Sequence, residues 1–292
     1  MRDFEFLEPT SVVEASSMLA DYGDECRVMA GGTALMLAMR QRMVMPSHVI
    51  SVSRIASLQG ISFDPQRGLR IGASSRHADI AQSPLVQQHY PMIAGMAARV
   101  ANVQVRNQGT IAGNLCYADP ATDPPTCLMA LGAEIVLGST RGERVITVEE
   151  FLVDYYVTAL EPDEIVVEIR VPAPTADFGG RYTRYLRTAA EHRPLVNVAV
   201  ATRRNGSVCT EVRLVVGAST PIPCRVPRAE TFLVGKPVTA DVVAEAASIV
   251  AADIDPLSDQ RGSADFRREI VRVITQRTIA GLFGLDMPEE AV

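Results

Sequence analysis

The sequence predicts an α+β protein built from more than one structural unit, and three observations carry that prediction. A strand–helix–strand pattern lies near the start, with the glycine pair Gly31-Gly32 at its first corner. A breaker-rich segment, "APTADFGG" at 173–180, divides the chain. Beyond it, Asn205-Gly206 signals a hairpin and two long helical patterns follow, an order that fits an antiparallel sheet with helices on one face.

Ser11 and Glu14 have the spacing of a capping box, opening a helix that runs to about Tyr22, where Gly23 supplies a left-handed end. Cys26 to Ala30 reads as a short apolar strand. After the two glycines, Leu35, Met39 and Met43 recur at helical spacing until Pro46, so "ALMLAMRQRMVM" is expected to pack into the core. "HVISV" is the next strand, and residues 61–73 alternate as a hairpin around "DPQRG". From His77 to Asn102 the pattern is helical, interrupted at Pro84 and before Pro91. "GTIAGNL" (109–115) reads as a glycine-bearing loop and "ADPATDPP" (118–125) as a proline-stiffened one. "TCLMALGAEIVLGSTRGERVITVEEFL" gives helix, strand, turn and strand, and "DEIVVEIRVP" a strand closed by Pro172. The two C-terminal helical patterns span 239–253 and 263–284, with Ser263 or Ala264 near the second start.

Composition excludes several function classes. At 292 residues the chain has core enough for two or three domains, and 47% apolar against 21% charged residues is ordinary for a globular protein. A net charge of −6 argues against a nucleic-acid groove, which needs clustered Lys and Arg. No apolar run is long enough to span a membrane, and no basic-then-apolar leader opens the chain, so a cytoplasmic location is expected. Cys26, Cys116, Cys127, Cys209 and Cys224 form no C-x-x-C pair and are expected to be buried thiols. The four histidines show no metal spacing, so no metal site is expected on this chain.

The two glycine motifs carry the chemistry. In the first, glycine without a Cβ lets backbone N–H groups meet a ligand, and a helix N-terminus there favours a phosphate; Thr33 adds a hydroxyl. Packing alone also produces such turns. Neither a G-x-x-x-x-G-K-[ST] loop nor a G-x-G-x-x-G dinucleotide turn is present. In the second, Thr110, Ala112, Gly113 and Asn114 offer a hydroxyl, a close-approach backbone and an amide. Asp123 follows. A carboxylate would repel a phosphate, so it suits a ribose hydroxyl, or else it caps the helix that begins at Pro124.

"AGGTALMLAMR" followed by "TIAGNLCYADPATDPPTCLMALGAEIVL" resembles the FAD-binding medium subunit of the molybdenum hydroxylases, the group of xanthine dehydrogenase and aerobic carbon monoxide dehydrogenase. The resemblance covers essentially the whole chain. It implies a two-lobed FAD-binding domain of the vanillyl-alcohol-oxidase type at 1–174 (lobes about 1–55 and 56–174) and a C-terminal domain of the carbon monoxide dehydrogenase flavoprotein type at 175–292. Ala30, Gly31, Gly32, Thr33 and Ala34 match the loop that wraps the FAD pyrophosphate, and Thr110, Ile111, Ala112, Gly113 and Asn114 match the second loop. The resemblance puts Asp123 on the adenosine side, Val166 at a backbone contact to adenine, and Arg184, where Lys is commoner, on the cofactor. The second motif often reads T-I-G-G-N; Ala112 replaces its first glycine, which a negative φ tolerates. "AEHRPLVN" should lie near the flavin ring, with His192 and Arg193 as solvated surface in the alternative.

The implied function is electron transfer. A large molybdenum-pterin subunit would oxidise the substrate, and a small subunit with two 2Fe-2S clusters would pass electrons to FAD here and on to an external acceptor (NAD, a quinone, a cytochrome or oxygen). A dimer of heterotrimers is the assembly implied. No general base or nucleophile is expected on this chain. Two alternatives stand beside it: a stand-alone flavin oxidase of the vanillyl-alcohol-oxidase type, for which the C-terminal part is small, and a non-redox scaffold that binds an adenine nucleotide.

Overall fold

The computed structural model describes residues 2–285. The first strands are short: β1 (Glu5–Leu7), β2 (Cys26–Met29) and β3 (His48–Ser51) pair in parallel in the order β1-β3-β2. Between β1 and β2 lies α1 (Val12–Tyr22). The Ser11 hydroxyl accepts from the Glu14 N–H at 3.1 Å, but the Glu14 carboxylate reaches back to Thr10 rather than Ser11. Helix α2 (Thr33–Arg40) follows β2 and is shorter than its apolar pattern suggests. Arg42 turns left-handed (φ 59°), and the Arg42 and Met43 N–H groups bond back to the Met39 and Ala38 carbonyls. This Schellman end leaves Met39 buried but Leu37, Met43 and Met45 more than half exposed, so the segment does not pack wholly into the core as its spacing suggested.

The middle of the chain contributes an antiparallel sheet and a run of short helices. The hairpin β4 (Ile61–Asp64) and β5 (Gly68–Gly72) leads into α3 (His77–Gln82), α4 (Pro84–His89) and α5 (Pro91–Ala97). Prolines at the first positions of α4 and α5 separate the three. Then come α6 (Val103–Gln108), α7 (Ile111–Tyr117) and α8 (Pro124–Ala130), followed by β6 (Glu134–Ser139), β7 (Gly142–Thr147), α9 (Val148–Phe151), the small hairpin β8 (Leu152–Asp154) and β9 (Val157–Thr158), and β10 (Ile165–Val171). The sheet order is β4-β5-β10-β6-β7, which buries the near-continuous apolar run of β10 at its centre.

After residue 177 a second antiparallel sheet forms from β11 (Phe178–Tyr185), β12 (Val196–Asn205), β13 (Val208–Gly217) and β14 (Cys224–Arg225), in that order. Helices α10 (Pro227–Leu233), α11 (Ala240–Asp253) and α12 (Ala264–Phe283) are the last elements among the described residues, the last two capped by the Thr239 and Ser263 hydroxyls. Alternation along β12 sends Val196, Val198 and Val200 into the core under these helices, while Ala199 and Ala201 face the core of the preceding part. The sheet thus carries its own helices on one face, as its order implied, and its other face is covered by α5 and α8. Among the described residues no helix is long and apolar enough to cross a membrane.

One buried polar lock fixes this docking. Asn197, fully buried, accepts from the Thr126 hydroxyl at 2.8 Å and donates to the Thr122 carbonyl at 2.8 Å. Its cross-strand partner is Gly217, where a Cβ would fall 2.1 Å from Thr126 Oγ1 and 2.5 Å from Asn197 Oδ1. Replacing Asn197 by Ala strands both partners, and should lower the unfolding free energy by about 2 kcal/mol, read as a fall in the urea midpoint.

Candidate cofactor site

The two glycine motifs meet backbone to backbone. A Cβ on Gly31 would stand 2.0 Å from the Gln108 carbonyl oxygen and 2.8 Å from the Gly109 Cα, so only glycine lets the first motif lie against the second. A third segment is stitched onto the second: the His77 N–H donates to the Gly109 carbonyl at 3.1 Å and the Ile111 N–H to the Ser75 carbonyl at 3.2 Å. Residues 31–33, 108–111 and 75–77 therefore form a layered backbone ridge. Gly32, left-handed at φ 69°, is the N-cap of α2 and has no side chain to cap it, which leaves first-turn N–H groups for an anion at the positive end of the helix.

The second motif is not the loop its texture suggested. Thr110 is the N-cap of α7, its hydroxyl accepting from the Gly113 N–H at 3.1 Å, and residues 111–117 are helical. Ala112 therefore has the negative φ that tolerates its methyl.

Cavities flank the ridge. One, of about 540 Å³, is lined by Ala30–Ala34, by Thr110, Ala112, Gly113 and Asn114, and by Asp123 and Val166. Its walls are largely apolar, with Val52, Val100 and Leu160 among them, and Tyr156, His192 and Arg193 also line it. The other, of about 650 Å³, shares the Ala30–Gly32 backbone but is the more polar of the two, with Ser53, Ser74, Ser75, Arg76, Asp79 and Asn107. Both volumes suit a cofactor-sized ligand.

Most residues singled out in the sequence thus converge, with two exceptions. Ile111 is wholly buried behind the wall. Arg184 does not line the cavity: its guanidinium stands behind Asp123, 3.1 and 3.3 Å from the two carboxylate oxygens, so the basic residue that this domain brings to the wall is Arg193. Arg193 is itself tied to Asp119 at 2.6 and 2.7 Å. Asp123 precedes α8 but caps nothing. Pro124 and Pro125 have no N–H to offer, and the carboxylate accepts from Arg184 and the Tyr182 hydroxyl instead. Burial raises the Asp123 pKa, while Arg184 works in the opposite direction. Burial also pushes the Cys116 thiol on the cavity wall up to about 12, so it is no nucleophile. Among the described residues no group of His, Cys, Asp and Glu could hold a metal ion.

Whether these residues fit a bound cofactor can be tested on unsatisfied atoms. Among the described residues, five buried side-chain N or O atoms lack a hydrogen-bond partner, and three of them, Asn114 Oδ1, His77 Nδ1 and Ser74 Oγ, belong to residues lining the two cavities. Buried polar atoms are rarely left unpaired, so this concentration is what a polar ligand would satisfy.

Comparison with known proteins agrees. Residues 2–174 match the family model described as the FAD binding domain in molybdopterin dehydrogenase, and 181–282 the CO dehydrogenase flavoprotein C-terminal domain. The chain belongs to this family of FAD-binding oxidoreductase subunits. It is 33% identical to the alpha subunit of the 6-hydroxypseudooxynicotine dehydrogenase complex of Paenarthrobacter nicotinovorans, covering 95% of this chain and 93% of that one. It is also 33% identical to the carbon monoxide dehydrogenase medium chain of Hydrogenophaga pseudoflava, covering 94% and 96%. The solved carbon monoxide dehydrogenase from Hydrogenophaga pseudoflava that lacks the Mo-pyranopterin moiety superposes with a TM-score of 0.93 over 97% of this chain and 98% of that one.

Sequence reasoning missed His77, Tyr156 and Tyr182. A lone histidine carries no signal, although Asp79, which accepts from the Arg76 N–H, marks the helix start that seats it. Two outcomes follow. Gly31→Ala should cost about 3 kcal/mol in urea unfolding, because the clash is with backbone. For His77, burial, with Arg106 adding to it, lowers the pKa from 6.5 to about 4. Below pH 6.5 the unfolded chain takes up the proton first, so stability should fall between pH 6.5 and 4, and a His77→Phe variant should lose less over that window.

Proposed function

We propose that this chain is the FAD-carrying electron-transfer subunit of a molybdenum-dependent hydroxylase or dehydrogenase. In this reading it receives electrons from the 2Fe-2S clusters of a small partner subunit, a large subunit holds the molybdenum-pterin centre, and the assembly is a dimer of heterotrimers. The observation that carries the reading is the glycine ridge between an apolar and a polar cavity, with unsatisfied polar atoms on both sides. The diphosphate belongs on the ridge, at the uncapped N-terminus of α2. The backbone of Ala30–Ala34 holds it, faced by Thr110, Ala112, Gly113 and the Asn114 side chain, with no Lys or Arg required.

The flavin ring suits the apolar cavity and the adenosine the polar one, where Ser75 and Asp79 offer partners for ribose hydroxyls. This orientation moves Asp123 and Val166 from the adenosine end, where the resemblance put them, to the ring end, because they share a chamber with His192 and Arg193. Asp123, backed by Arg184 and Tyr182, is then a fixed acceptor beside the ring. When bound, FAD supplies the redox chemistry, accepting electrons singly or in pairs. The chain supplies position and a largely apolar wall, to which Tyr156 and the Asp119-bound Arg193 contribute. Relatives of equal identity are named as dehydrogenases for carbon monoxide and for 6-hydroxypseudooxynicotine, which supports a chain that does not choose the substrate.

The purified full chain should show a flavin spectrum or take it up from added FAD, and release FAD on denaturation. Asn114→Ala should weaken FAD binding about tenfold, equivalent to about 1.4 kcal/mol, and Gly32→Leu should abolish it. Wild-type FAD affinity in both variants would remove the ridge from the cofactor site. Binding of ADP with no uptake of flavin would favour the scaffold instead.

A further inference from the structure

His77 is the group that neither the motifs nor the fold account for. It is 2% exposed and Nδ1 has no hydrogen-bond partner. A histidine buried for structural reasons finds partners for its buried ring nitrogens in the protein; Nδ1 of this one has none. Its neighbour Arg76 has extended backbone (φ −77°, ψ 153°) and bridges to Thr110, and along such a segment successive side chains leave on opposite sides. Arg76 accordingly lines the polar cavity and His77 the apolar one. The His77 N–H is bonded to the Gly109 carbonyl, so the imidazole springs from the ridge itself.

We infer that His77 contacts the cofactor, its Nδ1 hydrogen-bonding the ribityl–diphosphate segment of FAD where that segment crosses the ridge. This rests on the FAD reading above and adds a residue to it. The imidazole is neutral at neutral pH, since burial depresses its pKa to about 4. It therefore offers either a proton or a lone pair without bringing a charge into an apolar chamber, and ribityl hydroxyls accept either. The same geometry makes the residue a burden in the empty protein, because a buried unpaired polar atom costs stability until a ligand satisfies it. Binding and stability should thus respond to its removal with opposite signs, which no purely structural histidine would do.

The test uses the full chain stripped of flavin, in wild-type, His77→Phe and His77→Asn forms. Two quantities are read: the Kd for FAD by quenching of flavin fluorescence, and the melting temperature without flavin. His77→Phe should raise the Kd about tenfold while the flavin-free melting temperature rises by about 2 °C. His77→Asn, whose side-chain amide reaches the place of Nδ1, should keep the Kd within about threefold of wild type. Unchanged FAD affinity in His77→Phe overturns the inference. So does a loss of affinity accompanied by a fall in the flavin-free melting temperature, which would mark a structural role. Failure of the wild-type chain to bind FAD would overturn the FAD reading itself, and this inference with it; that outcome is told apart by appearing without any substitution.

Discussion

The contact on which the site depends is the absence of a side chain at Gly31. Because nothing projects from its Cα, the backbone of the parallel first sheet's corner lies against Gln108 and Gly109 from the helical middle of the chain. That close approach joins two parts of the fold that are distant in sequence, and the cavities on either side are the space left where their side chains diverge. A methyl at this point would push the layers apart and reshape both cavities at once. The glycine pair divides its work accordingly: Gly31 permits contact, and Gly32 turns the chain left-handed into α2.

The loop between β11 and β12 brings His192 and Arg193 to the apolar cavity, and the C-terminal part docks through polar groups whose partners lie on the N-terminal side. Asn197 grips Thr122 and Thr126, Arg193 grips Asp119, and Tyr182 and Arg184 grip Asp123. Asp119, Thr122, Asp123 and Thr126 all lie in or just after "ADPATDPP", so this proline-stiffened segment is the seam on which the second part docks. Pro124 and Pro125 remove N–H groups that would compete for Asp123, while Asp119 accepts from the Ala121 N–H and still binds Arg193 across the seam. Apolar complementarity from Ala199, Ala201 and Val215 supplies the area, and the carboxylates supply the register.

The unsatisfied atoms explain why a site of this kind is costly to keep without its ligand. Asn114 Oδ1, His77 Nδ1 and Ser74 Oγ are buried where the protein gives them nothing to bond, three of the five such atoms among the described residues. A chain selected for stability alone would replace them with apolar residues. Their retention at the cavity walls is the expected signature of groups whose partners arrive with a bound molecule.

Local chemistry made much of the fold legible in the sequence. Helices α11 and α12 begin where Thr239 and Ser263 cap them, the Asn205-Gly206 hairpin forms, and the prolines at 84 and 91 part the helices, because caps, turns and missing N–H groups act within a few residues. Both glycine motifs could be found for the same reason. Three features were settled only in three dimensions: that Gly31 faces backbone, that Asp123 is held by Arg184 instead of capping a helix, and that a lone His77 stands unpaired beside the ridge. Each depends on a partner from another part of the chain, or on the want of one. The short pattern Thr110-Ile111-Ala112 likewise read as loop until Thr110 was seen to cap a helix. The sequence by itself determined which backbone turns and caps exist; the tertiary structure decided which atoms those turns leave facing a cavity, since facing is a relation between distant segments that no local pattern encodes.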